Sequence, residues 1–206
     1  MKKINIIYLL PEMKGASGGA TVIYNHSLKL NNFKKNISSS VLHLKKKFLY
    51  KIETSLSKKL NIFKEQYSGW NPNKMKVSEF FSPSKNWFNK DINSRKKFSL
   101  NKNTDFLIIP EIWSHFSEDL ELKKKGINYG IFIQGFFHMN STSNFEKLKA
   151  AYKNAKIILI SSDYNLRCFK EMFPEFKNKI LRINFFIDSK KLKISKKTNS
   201  ITYMPR

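Results

Sequence analysis

The chain has 206 residues and is 41% hydrophobic, which allows one well-packed domain and excludes a wholly disordered protein. Its formal net charge is +24, yet only four of its 39 basic residues are Arg, the side chain that reads guanine and phosphate bidentately. The charge therefore predicts weak, salt-sensitive contact with anionic membrane surfaces and no specific binding of nucleic acid. A single cysteine, Cys168, excludes an intramolecular disulfide and a cysteine-based zinc cluster.

The apolar runs follow one another at regular intervals, and polar or turn residues separate them. Continuous apolarity, as in residues 4–10, is typical of a strand buried on both faces of a parallel sheet. Residues 45–103 carry a weaker pattern, which favours short helices and loops. Strands are predicted over residues 4–10, 37–44, 105–110, 127–134, 157–160 and 180–187, and helices over residues 20–30, 113–125, 145–154 and 163–173. This alternation predicts a doubly wound, mostly parallel, Rossmann-like α/β fold.

The domain organisation follows from a change of composition after Asp188. Residues 1–188 are predicted to form the Rossmann-like domain, and the polar, Lys-rich residues 189–200 a linker. Residues 201–206 turn apolar again and are interpreted as the first strand of a second domain. No apolar run approaches the roughly 20 residues of a membrane span. We therefore expect a cytoplasmic protein, with any membrane contact peripheral and at the inner membrane face.

Three glycines lie between the first predicted strand and the first predicted helix. Without side chains, Gly15, Gly18 and Gly19 let backbone N–H groups and the helix dipole approach a diphosphate. Their spacing differs from the dinucleotide-binding GxGxxG, and no Lys-Ser pair follows them, so NAD and P-loop chemistry are disfavoured. The alternative is a plain tight turn.

Further polar side chains follow the other strands at the carboxyl edge, where ligands of open α/β sheets bind. Glu111 could accept hydrogen bonds from sugar hydroxyls, or could simply favour a helix start. Gln134, His138 and Asn140 follow the strand over residues 127–134, and His138 could contact the sugar or the leaving phosphate as the catalytic residue, or be structural. Ser162 could contact substrate or only cap a helix.

The four histidines, His26, His43, His115 and His138, are scattered along the chain. None forms an i, i+4 pair with a nearby carboxylate, the spacing of helical zinc ligands. We therefore expect no metal ligation and no resident cofactor in this domain.

Four segments resemble the family-4 glycosyltransferases, which have two facing Rossmann-like domains in the GT-B arrangement. They are IIYLLP at 6–11 with GASGG at 15–19, LIIPE at 107–111, IFIQGFFH at 131–138, and INFFID at 183–188. ITYMPR at 201–206 looks like the opening strand of the donor domain. The resemblance implies a nucleotide-sugar as donor substrate, a sugar or lipid-linked acceptor, and a role in polysaccharide biosynthesis. It also implies that most nucleotide contacts lie in a C-terminal donor domain beyond residue 206.

The expected function is therefore that of an acceptor-side glycosyltransferase domain, with one wall of the donor cleft formed by the glycine loop. Two alternatives fit the same sequence. The charge fits a basic nucleic-acid-binding module, although most aromatic residues fall in runs predicted to be buried rather than on an exposed face. A non-catalytic, Rossmann-like partner domain is the second alternative.

Overall fold

The computed structural model describes residues 3–13, 15–46, 75–78, 81–83, 87–88, 90–135 and 145–185. These residues build one seven-stranded sheet in the order β3-β2-β1-β4-β5-β6-β7. All neighbouring strands are parallel except β3, an edge strand antiparallel to β2. The strands are β1 (Ile4–Pro11), β2 (Ile37–Lys46), β3 (Met75–Val77), β4 (Asp105–Pro110), β5 (Asn128–Ile133), β6 (Ile157–Ile160) and β7 (Ile180–Arg182). The predicted doubly wound, mostly parallel α/β fold is confirmed.

The structure describes four α-helices, and two of them begin at a capping side chain. The four helices are α1 (Gly18–Asn31), α2 (Phe116–Asp119), α3 (Phe145–Asn154) and α4 (Asp163–Met172), with 3-10 turns at Glu111–Trp113 and Pro174–Lys179. The hydroxyl of Ser17 accepts a hydrogen bond from the N–H of Ala20, and that of Ser162 accepts one from the N–H of Asn165. These bonds satisfy N–H groups that have no partner inside the helix.

Two apolar layers cover the sheet, one on each face. Helix α1 packs on one face through Ile23 and Tyr24, against strand residues such as Ile108. Helices α2, α3 and α4 pack on the other face, against strand residues such as Leu107 and Ile109. Successive residues of a strand point to opposite faces, so an uninterrupted apolar run serves both layers.

The prediction of one long helix over residues 113–125 is wrong. The structure has a 3-10 turn, the four-residue α2 and a series of turns. The backbone of Glu121 takes a left-handed conformation (φ 52°), which ends the helical path and turns the chain so that Leu122 enters the core. Gly126 also has a positive φ, 68°, as predicted for a glycine that ends a helix. In the structure, however, the residues before it form turns rather than a helix.

Strand β3 was not predicted, because three residues are too few for a periodic pattern. The strand predicted over residues 180–187 ends at Arg182 in the structure. The predicted linker at 189–200 and the predicted opening strand at 201–206 lie outside the described residues, and both stay predictions.

A buried polar pair joins α1 to β2. The hydroxyl of Tyr24 and Nε2 of His43 are 2.9 Å apart, and neither side chain is exposed. His43 also contacts the ring of Phe81, with 4.6 Å between centroids. Burial lowers the pKa of His43 from 6.5 to about 4, because the apolar surroundings disfavour the charged imidazolium.

The stability that depends on neutral His43 should be fully present above pH 6.5 and be lost progressively as the pH falls towards 4. In that window the unfolded chain binds a proton that the folded chain rejects. Urea unfolding between pH 4 and pH 7 measures this loss. At pH 5.5, nitrogen NMR of the ring should show His43 still neutral, and a ring that titrates near 6.5 would contradict its burial.

Candidate functional site

The sheet reverses its winding direction between β1 and β4. From β1 the chain goes to β2 on one side, whereas β4 pairs with the other side of β1. The segments that follow these two strands pack on opposite faces of the sheet. In open α/β sheets, ligands bind in the crevice between two such segments, at the carboxyl ends of the strands. Pro11 and Pro110 end the two strands at this crevice.

The glycine loop leads from β1 into α1 at the crevice. Gly18 and Gly19 are the first two residues of this 14-residue helix, so their N–H groups belong to the first turn and have no acceptor within the helix. The first turn carries no acidic side chain that would neutralise the positive end of the helix dipole. Among the described residues, no atom lies within 4 Å of a methyl group placed on Gly15 or Gly18. No described side chain therefore covers the backbone at these two glycines.

Gln134 ties the end of β5 to this helix. Its side-chain Nε2 donates a hydrogen bond of 3.1 Å to the carbonyl oxygen of Gly19. A Cβ on Gly19 would lie 2.7 Å from Oε1 of Gln134. A side chain at Gly19 would therefore displace the end of the Gln134 side chain, whereas one at Gly15 or Gly18 would meet no described residue. The structure brings Gln134 to the glycine loop, where its side chain contacts the loop backbone. The predicted role of Gln134 in binding substrate stays a prediction.

Further hydrogen bonds connect the end of β5 to the residues that follow β6. The side-chain amide of Asn165, in the first turn of α4, donates to the carbonyl of Gln134 at 3.4 Å. Ser161 donates its hydroxyl to the carbonyl of Ile133 at 3.2 Å. Ser162 accepts from the N–H of Asn165 at 3.1 Å, so its capping role is observed. These bonds link the carboxyl ends of β5 and β6 to the start of α1.

Glu111 follows β4 directly, as predicted, but the structure buries it. Only 3% of the residue is exposed, and neither carboxylate oxygen has a hydrogen-bond partner among the described residues. Burial raises the pKa of Glu111 well above its usual value, and the pKa of the nearby Tyr152 phenol is also raised, by burial and then by Glu111. The side chain therefore lies within the protein rather than on an open wall of the crevice.

Other predicted site features are only partly covered by the structure. His138 and Asn140 lie outside the described residues, and their roles stay predictions. His26 packs its ring on Phe132, with 5.6 Å between centroids. In the described ranges, no three or more His, Cys, Asp or Glu side chains are grouped to hold a metal ion. None of the helices described is long and apolar enough to cross a membrane.

The sequence did not reveal the buried Tyr24–His43 pair or the burial of Glu111. A histidine and a tyrosine 19 residues apart carry no local signal of contact. For Glu111, the apolar residues on both sides, from Leu107 to Trp113, were the available hint.

The comparisons with known proteins give a distant structural likeness. No family model matches the sequence, and no curated protein sequence is similar to it. Among solved structures, the catalytic domain of starch synthase IV from Arabidopsis thaliana, bound to ADP and acarbose, matches with 9% sequence identity and a TM-score of 0.48. The match covers 92% of this chain and 53% of that chain, so this chain spans about half the length of the starch synthase domain. At this identity and TM-score the likeness does not indicate an activity.

Proposed function

We propose that the chain is the acceptor-side domain of a glycosyltransferase, and that its glycine loop faces the diphosphate of a nucleotide-sugar donor. The observation that carries this proposal is the open amino end of α1 at the crevice between β1 and β4. The sequence resemblance to family-4 glycosyltransferases supports the same function. The winding of the sheet supports a ligand at this edge but does not choose among ligands.

The chemistry of the loop favours an anion. The aligned peptides of α1 place roughly half a positive charge at its amino end. The N–H groups of Gly18 and Gly19 are available there as donors, and no side chain of these two residues blocks them. A diphosphate offers several acceptor oxygens and negative charge, so it matches both the donors and the dipole.

The hydrogen bonds that hold the start of α1 in place support a preorganised site. Gln134 holds the first turn of α1 against β5, and Asn165 holds Gln134 against α4. The donor N–H groups are therefore fixed by packed elements before a ligand arrives, which lowers the entropy lost on binding. In this proposal His138, Asn140 and Ser162 lie on the acceptor side, where a sugar or lipid-linked acceptor would bind. A second domain supplies the other wall of the donor site.

A valine at Gly18 should weaken binding of a nucleoside diphosphate by about tenfold or more, since it shields N–H groups that bond to a charged ligand. The probe is UDP or ADP added to the 206-residue chain, with binding followed by the amide NMR signals of Gly18 and Gly19. We expect weak binding by the parent chain, with both signals shifting.

Gly18→Ala is the matched control, because its methyl group meets no neighbour and alanine favours helix more than glycine does. It should fold as stably as the parent and bind with intermediate affinity. Equal binding by the parent and a normally folded Gly18→Val would refute the donor-site assignment and leave the loop as a turn.

A further inference from the structure

A second concave site lies at the opposite edge of the sheet, at the amino ends of β5 and β6. It is a cavity of about 510 Å³ between the turn before β5, the end of α3 and the segment before β7. The six residues of β5 span about 20 Å, so this edge lies about 20 Å from the end of the sheet that carries the glycine loop. Its polar lining comes from four lysines and two asparagines: Lys123, Lys153, Lys156, Lys179, Asn128 and Asn154.

Lys179 is fixed in this cavity by the backbone at the end of α3. Its ammonium donates to the carbonyl of Ala155 at 3.0 Å, to that of Tyr152 at 3.4 Å, and to that of Lys153. The ammonium also lies 5.8 Å from the centre of the Phe176 ring. A lysine held by several contacts loses little further freedom when an anion arrives, so this charge is already in place.

The other three cavity lysines have no acidic partner among the described residues, whereas two lysines elsewhere on α3 do. On α3, Lys147 pairs with Asp119 at 2.5 Å and Lys149 pairs with Glu175 at 3.1 Å. Among the described residues, no carboxylate lies within ion-pair distance of Lys123, Lys153 or Lys156. Glu118 accepts a hydrogen bond of 3.2 Å from the side-chain amide of Asn154 at the cavity wall.

Like charges are held close together here. The pKa of Lys179 is lowered, first by burial and then by the charge of Lys156. Repulsion between two ammonium groups destabilises the empty cavity, and a bound anion would relieve it.

We propose that this cavity binds a compact anion that carries two or more phosphate groups, such as a short polyphosphate or a doubly phosphorylated metabolite. Four lysines from three segments surround one concavity. Lys123, Lys153 and Lys156 can each donate to a phosphate, and Lys179, whose N–H groups bond to carbonyls, adds its positive charge. A concave site of this volume fits a small molecule, whereas a flat membrane surface or a nucleic-acid duplex would reach only its rim. The proposal is independent of a donor site at the glycine loop.

The test uses inorganic tripolyphosphate with the 206-residue chain at moderate salt, followed by calorimetry and by amide NMR. The cavity variant carries Lys123→Gln, Lys153→Gln and Lys156→Gln. Its matched control carries the same change of net charge at exposed lysines outside the cavity, as Lys35→Gln, Lys97→Gln and Lys170→Gln. Lys179 is left intact, because it also caps α3.

We expect the cavity variant to bind tripolyphosphate about tenfold more weakly and the control variant to bind within about twofold of the parent, since screened surface charges contribute little at a distance. Amide signals of Gly126 and Asn128 should shift on binding in the parent and in the control variant, and much less in the cavity variant. Any shift of the Gly18 and Gly19 signals, which report the glycine loop, should be the same in all three proteins. Equal weakening in both variants would overturn the site in favour of unspecific attraction. The site would also be overturned if the cavity substitutions weakened binding to phosphatidylglycerol vesicles or DNA but left the affinity for tripolyphosphate unchanged.

Discussion

Replacing Gly130 by alanine should destabilise the fold by about 1–3 kcal/mol, a shift in melting temperature of several degrees for a chain of this size. Gly130 pairs with Ile157 on the neighbouring strand β6. A Cβ at Gly130 would lie 2.6 Å from Cγ2 of Ile157 and 3.1 Å from its backbone oxygen. Ile157 is β-branched and its carbonyl belongs to the sheet, so neither atom can move away without a shift of the strand. Gly130→Val should lose more.

Thermal unfolding of Gly130→Ala and of Gly18→Ala measures this effect, because the second variant adds the same methyl group where it meets no atom. Trimming the neighbour should recover part of the loss, since Ile157→Ala removes the nearest contact. The double variant should therefore lose less stability than the sum of the losses in the two single variants. Strict additivity of the two changes would show that the clash is not the cause.

Replacing Glu111 by glutamine should raise stability increasingly as the pH rises from about 4.5 to 8. Burial raises the pKa of Glu111, so the folded chain keeps a proton that the unfolded chain releases above 4.5. The contribution of the protonated carboxyl is fully present below that pH and is lost as the pH rises towards the raised pKa. The amide of Gln has no proton to lose, so the gain over the parent should grow by up to about 1.4 kcal/mol for each pH unit between 4.5 and the raised pKa of Glu111.

The measurement is the difference in unfolding free energy between Glu111→Gln and the parent at each pH. The contribution of His43 changes between pH 4 and 6.5 in both proteins and cancels in the difference. Glu121→Gln is the matched control, because this carboxylate is exposed and pairs with Lys124 at the surface. A difference that stays constant from pH 4 to 8 would show that Glu111 ionises normally.

The fold was predictable wherever the signal is local. Strand β4 was predicted at its observed bounds, because four apolar residues stand between a polar loop that ends at Asp105 and Pro110. The start of α4 followed from Ser162, a capping side chain beside the first turn. The helix over residues 113–125 failed for the opposite reason, since a left-handed backbone at Glu121 has no mark in a periodic pattern.

The candidate site was predictable in position but not in contacts. Parallel strands bring their following loops to one edge, so the glycine loop, Gln134 and Ser162 were expected at the same end of the sheet. The bond from Gln134 to the carbonyl of Gly19 spans 115 positions in the chain, and no local pattern encodes it. The lysine cavity is likewise assembled from three separate segments.

Strand β1 lies inside the sheet, between β2 and β4, and this order constrains how the protein is made. Strand β1 is the first strand of this sheet to be synthesised, and its first partner, β2, follows about 30 residues later. Its other edge must wait for β4, because Asn5 pairs with Asp105 in the finished sheet. Until β4 has been synthesised, one edge of an apolar strand has no partner in the sheet and can pair wrongly with another nascent chain. Slow translation between β2 and β4 would lengthen this exposed interval, so the yield of folded protein should depend on how that stretch is translated as well as on how stable the finished sheet is.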